Sequence, residues 1–253
     1  MKTKDWKTVK TGEEIELMRH SSRLVARTLD VLGSMAKPGV KTGELDRAAE
    51  DFIRSEGGVP SFKGYRGFPA SICASVNSEV VHGIPGSRVL VDGDLLSIDV
   101  GVLKEGYHGD GAATFPVGSA SDDAIRLLDT TQEALVAGID QARDGNRIRD
   151  ISRAVQEVVE DAGYSVVRDL AGHGIGRQMH EDPHIPNFVT PGRSPVLVSG
   201  MTLAIEPMVN IGTSEIKLRG DGWTWVTKDE ALSAHFEHTV AVGETGAEIL
   251  TKV

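Results

Sequence analysis

A single cysteine, Cys73, stands in a chain of 253 residues. One thiol forms no internal disulfide and no thiolate zinc site, so a reduced, cytoplasmic setting is expected. Cations are scarce: 27 Lys and Arg against 37 Asp and Glu leave a net charge of -10 at pH 7. That balance is the reverse of what holds a phosphate backbone, so DNA and other nucleic acids are excluded as generic substrates. No segment approaches the ~20 uncharged apolar residues of a bilayer span. Lys2, Lys4, Lys7 and Lys10 precede no apolar run of the kind a secretory signal carries. Neither membrane insertion nor export is expected. What remains is ordinary globular content, 40% apolar and 25% charged, and a chain of this length buries roughly 70–75% of its extended surface. That is enough to enclose a site.

Local signals divide the chain into helix pairs and strand blocks. Thr11 and Glu14 have capping-box spacing, and Ile15, Met18, Val25, Leu29 and Leu32 share one helical face up to Pro38-Gly39. A second helix opens near Thr42, buries Leu45, Ala48, Ala49, Phe52 and Ile53, and stops at Gly57-Gly58. A further pair runs from about Ser121 to Ala142 and from Ile148 to Ala162. A constant offset of 106 positions sets Gly39 on Gly145, Arg47 on Arg153, Ala48 on Ala154 and Gly57 on Gly163, a faint internal duplication. Two-residue alternation predicts strands over Leu95–Val102, Tyr107–Phe115, Met201–Ile205, Trp223–Thr227 and Phe236–Val242. Helix runs followed by hairpin-linked strands indicate an α+β fold, with helices packed on a largely antiparallel sheet.

Carboxylates interrupt these strands. A turn centred on Lys104 and Glu105 sets Asp99 directly opposite Asp110, and a bulge at Gly106 would shift that by one residue. Facing like charges ~5 Å apart repel unless a cation lies between them; the alternative is a pair of solvent-facing aspartates. Three more segments offer donors. His173 sits in Gly172-His173-Gly174-Ile175-Gly176, whose glycines permit close backbone approach; Glu206 follows an apolar run and precedes Pro207; Glu237 lies in Phe236-Glu237-His238. Together they form a set of four carboxylates and one imidazole without sulfur. Such a set balances two divalent ions and suits Co, Mn, Fe or Zn, without selecting among them. Paired ions of this kind support hydrolysis.

His180-Glu181-Asp182-Pro183-His184 satisfies H-E-x-x-H formally, but Pro183 breaks the helix that the zinc-peptidase pattern needs. The Gly172–Gly176 run has neither dinucleotide-binding nor P-loop spacing.

In seven ordered motifs the chain resembles the type I methionine aminopeptidases. They are Lys37-Pro38-Gly39-Val40 with Thr42-Gly43-Glu44-Leu45-Asp46, Val81-His82-Gly83-Ile84-Pro85, Ile98-Asp99-Val100, His108-Gly109-Asp110, Gly172-His173-Gly174-Ile175-Gly176, Ile205-Glu206-Pro207-Met208 and Phe236-Glu237-His238-Thr239. The short segment between Glu206 and Glu237 fits type I rather than type II. The resemblance implies a pita-bread fold, a pseudo-twofold antiparallel sheet with helix pairs on its outer face. It implies one catalytic domain over residues 1–253, with residues 1–10 as a flexible tail.

The resemblance further implies that Asp99, Asp110, His173, Glu206 and Glu237 hold two divalent ions, with Asp110 and Glu237 bridging them. Glu206 would also move a proton, and His82 and His180 would contact the substrate and steady the oxyanion. Tyr65, Phe68, Cys73 and Trp223 match pocket positions for the methionine side chain, joined by Phe62 and Met179, which depart from relatives in size and would reset pocket width. Ordinary core packing is the alternative for all six. The implied activity is removal of N-terminal methionine from nascent chains and peptides with a small second residue, by a cytoplasmic monomer. Transient ribosome contact through the lysine-rich start is a further expectation. A broader-specificity dipeptidase of the same fold and a non-catalytic pita-bread binding protein are the alternatives.

Overall fold

A computed structural model describes residues 9–252. Its four helices are α1 (Gly12–Met35), α2 (Thr42–Ser55), α3 (Asp122–Asp140) and α4 (Ile148–Asp161). At the head of α1 the Thr11 hydroxyl accepts the Glu14 N–H at 3.2 Å, and the Glu14 carboxylate accepts the Thr11 N–H at 3.0 Å. This is the expected capping box, and it satisfies two otherwise unpaired amides.

The offset of 106 that relates Gly39 to Gly145 also relates the first and last residues of α2 to those of α4. The correspondence extends to hydrogen bonds. Lys41 N–H donates to the Glu44 carboxylate as Arg147 N–H does to Asp150, at 3.0 and 2.8 Å. Gly39 N–H meets the Leu90 carbonyl as Gly145 N–H meets that of Leu197. The faint sequence repeat is therefore a structural one.

Nine strands build one wholly antiparallel sheet: β1 (Val59–Pro60), β2 (Cys73–Val76), β3 (Leu95–Lys104), β4 (Tyr107–Pro116), β5 (Ala171–Gly174), β6 (Glu181–Pro186), β7 (Thr202–Ile205), β8 (Glu237–Val242) and β9 (Ala247–Ile249). Their order is β1-β3-β4-β8-β7-β5-β6, with β2 beside β3 and β9 beside β8. Alternation gives each strand an outer and an inner face. On the outer face, Leu96, Ile98, Val100 and Val102 of β3 pack under Leu24, Leu32, Leu45 and Ile53 of α1 and α2. Leu203, Ile205 and Val240 pack likewise under Leu127, Leu135, Ile151 and Val155 of α3 and α4. Each fully buried aliphatic side chain contributes about 1.5–3 kcal/mol, so two apolar layers fix which face is left for polar residues.

Only two residue pairs join the halves of the sheet at β4 and β8, Ala112 with Glu237 and Gly111 with His238. On either side of them a threonine hydroxyl replaces the ladder. Thr239 Oγ1 accepts the Asp110 N–H and donates to the Asp110 carbonyl, at 3.0 and 2.8 Å. Thr114 Oγ1 does the same for His235, at 2.9 and 2.8 Å.

Several expectations need correction. The segment expected to run as one strand over Phe236–Val242 begins at Glu237, and Ser233–His235 belongs to a separate three-stranded sheet with Met208–Asn210. The strand expected from Trp223 begins at Trp225, because Asp221 accepts the Trp223 and Thr224 N–H groups at 2.9 Å and turns the chain. The tail expected over residues 1–10 gives way to structure from Val9, which bridges Met201. Lys10 is buried and pairs with Glu181 at 2.6 Å. Lys2, Lys4 and Lys7 lie outside the described residues.

Candidate active site

The β3–β4 hairpin turns at Glu105-Gly106, both in the left-handed region with φ of 52° and 81°, as a two-residue hairpin loop requires. The turn is one residue later than the expected centre. Asp99 therefore pairs with Ala112, and Asp110 with Gly101. Because the shift moves the register by two, the aspartates keep a common face but stand diagonally. Ala112 also pairs with Glu237 across the seam, so Asp99, Ala112 and Glu237 form a row over three strands.

His173 arrives from β5, whose pairing with Ala204 puts it on the same inner face. Its glycine neighbours are required: a Cβ on Gly172 would strike the Ala204 carbonyl, and one on Gly174 the Asp182 carbonyl. Side-chain atoms of Asp110, His173 and Glu237 all fall within 4.8 Å of one another. Glu206, just past β7, places Oε1 3.6 Å from His173 Nε2.

The electrostatics of this cluster disfavour bare carboxylates. Burial, with repulsion between the carboxylates, pushes Asp110, Glu206 and Glu237 well above the usual carboxylate range, and burial raises Asp99 to about 7. Asp99 Oδ1 and Glu237 Oε1 are buried without a hydrogen-bond partner. Burial pushes His173 down to about 4, so its ring is neutral. Its Nδ1 lies 2.9 Å from the Gly174 carbonyl, which only accepts, so Nδ1 holds the hydrogen. Nε2 then turns a lone pair toward Asp110 and Glu206, at 3.7 and 3.6 Å. A lone pair facing carboxylates is repulsive by itself and favourable around a divalent ion. The donor set fits one.

Above the cluster opens a cavity of about 130 Å³. Phe62, Phe68, Cys73 and Trp223 supply its apolar wall, with Trp223 edge-on to Phe68 at 5.1 Å. His82, Tyr65 and His180 also line it. His82 is held at φ 59°, and burial lowers its pKa. His180 Nδ1 sits 2.9 Å from the Tyr65 hydroxyl, its ring 4.2 Å from that of His173. Desolvation and the neighbouring His173 hold His180 neutral as well. Met179 is the exception among the expected pocket residues. It does not line the cavity but packs with Phe62 over the place where Gly101 lacks a side chain.

Two residues at the site were not anticipated. Buried His235 sets its unpartnered Nε2 3.7 Å from Glu206 Oε2; its position two residues before Glu237 was the available signal. Arg66 joins the cavity wall, and no periodic pattern marks it. The H-E-x-x-H segment forms edge strand β6 rather than a helix, with His184 exposed.

With this geometry in place, a family model gives the class. Metallopeptidase family M24 matches residues 16–244, and the chain belongs to that family. Among named relatives, the methionine aminopeptidase of Clostridium acetobutylicum is 54% identical, over 96% of this chain and 98% of that protein. The crystal structure of methionine aminopeptidase from Rickettsia prowazekii superposes with a TM-score of 0.95 at 41% identity, covering 97% of this chain and 99% of that one. The Pyrococcus furiosus prolidase, at 24% identity and a TM-score of 0.80, shares the fold, and this chain spans 67% of its length. The pita-bread architecture is thus common to all of them.

Proposed function

We propose that this chain hydrolyses the bond after an N-terminal methionine in peptides and newly made proteins whose second residue is small. The observation that carries the reading is the meeting of Asp110, His173 and Glu237 within 4.8 Å at the floor of a small apolar cavity. Likeness to named methionine aminopeptidases over nearly the whole chain supports it.

In this reading Asp99, Asp110, His173, Glu206 and Glu237 hold two divalent ions, drawn from Co, Mn, Fe or Zn. Bound there, such ions polarise a carbonyl and lower the pKa of water. The protein's own groups do the rest. Phe62, Phe68, Cys73 and Trp223 receive the unbranched thioether, which gains from burial and from ring contacts. The acidic floor attracts the free α-amine. With the Tyr65 hydroxyl donating to Nδ1 of His180, the ring hydrogen sits on Nε2, where it can meet the oxygen that gains charge as the amide is attacked. His82 lines the same cavity as a second imidazole whose protonation burial disfavours. Glu206 takes the proton that the attacking water loses and passes it to the departing amine.

The test is release of free methionine from Met-Gly-Ser by metal-stripped protein titrated with Co, Mn, Fe and Zn. Release that appears with metal and is lost in Glu206→Ala supports the reading. Equal cleavage of Leu-Gly-Ser or of X-Pro peptides would instead establish a broader dipeptidase.

A further inference from the structure

The cavity wall contains one permanent positive charge, Arg66, and nothing described so far uses it. Arg66 is exposed at the rim. Its backbone is held at φ 50° and ψ 19° inside a tight turn, a conformation that costs a non-glycine residue roughly 1 kcal/mol. The turn is rigid. Tyr65 N–H bonds the Phe62 carbonyl, Phe68 N–H the Tyr65 carbonyl and Gly64 N–H the Phe68 carbonyl, at 2.9, 2.9 and 2.8 Å, while Phe62 and Phe68 are buried on either side. The guanidinium lies 5.3 Å from the Tyr65 ring centroid, and Tyr65 in turn stacks on His180 at 5.3 Å. Arg66 thus heads a stack that runs through Tyr65 to His180.

Its charge is also uncommitted. Lys63 and Arg54 nearby both pair with Glu50, whereas Arg66 meets no carboxylate among the described residues. The chain as a whole carries -10, so a lone guanidinium at the mouth is a local reversal of sign. This argument rests on the functional reading above, which orients the substrate. The α-amine lies over the acidic floor and the first side chain fills the apolar wall, so the rest of the peptide leaves past Tyr65, His180 and Arg66.

We propose that Arg66 is a specificity-determining residue that recognises a carboxylate on the substrate just beyond the cleaved bond, chiefly the side chain of an acidic third residue. An extended peptide advances about 3.3 Å per residue, which brings the third side chain within reach of an arginine anchored at the rim. The guanidinium fork suits a carboxylate and repels lysine. An exposed pair of this kind changes kcat/KM by about two- to five-fold, and salt weakens it.

The experiment compares kcat/KM for Met-Gly-Asp-Ala-amide, Met-Gly-Gln-Ala-amide and Met-Gly-Lys-Ala-amide, at low and high salt, with metal-loaded protein. Amidated peptides leave the third side chain as the only variable charge. The wild-type protein is expected to favour Asp over Gln by about two- to five-fold and to disfavour Lys, with the ratios shrinking in salt. R66A should bring the ratios to one, R66K should keep part of the preference, and R66E should invert it. A wild-type Asp-to-Lys ratio of one, or a preference unchanged in R66A, overturns the proposal and leaves the functional reading intact. No methionine release from the Gln peptide by wild-type protein overturns that reading, and this proposal with it. Arg66 is exposed, so its variants retain the buried core, and their thermal melting checks this.

Discussion

Asp99 and Asp110 share one face of the β3–β4 hairpin without facing each other: Ala112 stands opposite the first and Gly101 opposite the second. Each carboxylate is therefore paired with a residue of minimal volume, which leaves space between them. On the Gly101 side that space is already occupied from above. A Cβ there would lie 2.8 Å from Phe62 Cε1 and 2.9 Å from Met179 Cε.

Gly101→Ala should consequently displace Phe62 and Met179 and disturb the pocket wall. Overpacking of this sort costs about 1–3 kcal/mol. Thermal denaturation should show the loss, and KM for a methionyl peptide should rise. Unchanged melting together with unchanged KM would mean that the two side chains have slack.

Asp110→Asn and Glu237→Gln remove a charge from the buried cluster while keeping its shape. Calorimetry should show divalent-ion affinity falling by more than the ~10–100-fold typical of losing an outer partner. Without metal, the same variants should melt above the wild-type protein at neutral pH, because an amide needs none of the proton uptake on folding that the raised carboxyls require. Wild-type affinity in either variant would remove that residue from the proposed metal centre.

Metal-free protein should grow less stable as pH rises above about 7. Asp110, Glu206 and Glu237 have folded pKa values raised well above their ordinary carboxylate values, and that of Asp99 is raised to about 7. The folded state thus keeps protons that the unfolded chain has already released, and its stability falls until those groups ionise. Buried His173 and His235 have lowered values and act in the opposite direction, but only below about 6.5. Melting curves from pH 7 to 9 should slope downward without metal and flatten with it. A flat metal-free profile would contradict the electrostatic account.

Thr239→Val keeps the shape of the side chain and deletes the hydroxyl that serves both backbone groups of Asp110. Leaving buried polar groups unpaired costs about 1–3 kcal/mol. Chemical denaturation should register that loss, and Thr239→Ser should recover most of it. Equal stability of the Val and Ser variants would show that water replaces the hydroxyl.

The helices were legible because their signals are local. Capping at Thr11, the glycines at 57 and 163, and the apolar stripes of α2 and α4 lie within a few turns of one another. The short strands Cys73–Val76 and Ala171–Gly174 were not, since they owe their form to partners far along the chain. The donor residues stood out as charges inside apolar runs. Their diagonal placement did not, because Lys104-Glu105 and Glu105-Gly106 are both plausible turn centres until the backbone angles decide. Arg66 was hidden for a different reason, since a single surface arginine carries no pattern and only its place at the cavity rim gives it meaning; His235 had one faint signal, its place two residues before Glu237, and gains its meaning from proximity to Glu206.

The narrow seam between β4 and β8 bears on how such a centre arises. Two of the proposed donors, Asp99 and Asp110, come from the first structural repeat, and the other three, His173, Glu206 and Glu237, from the second. Neither repeat holds the complete set, so an ion bound across the seam is a fastener between them as well as a reagent. Chemistry at such a junction belongs to the partnership of the two copies, and joining them in one polypeptide fixes that partnership at one to one.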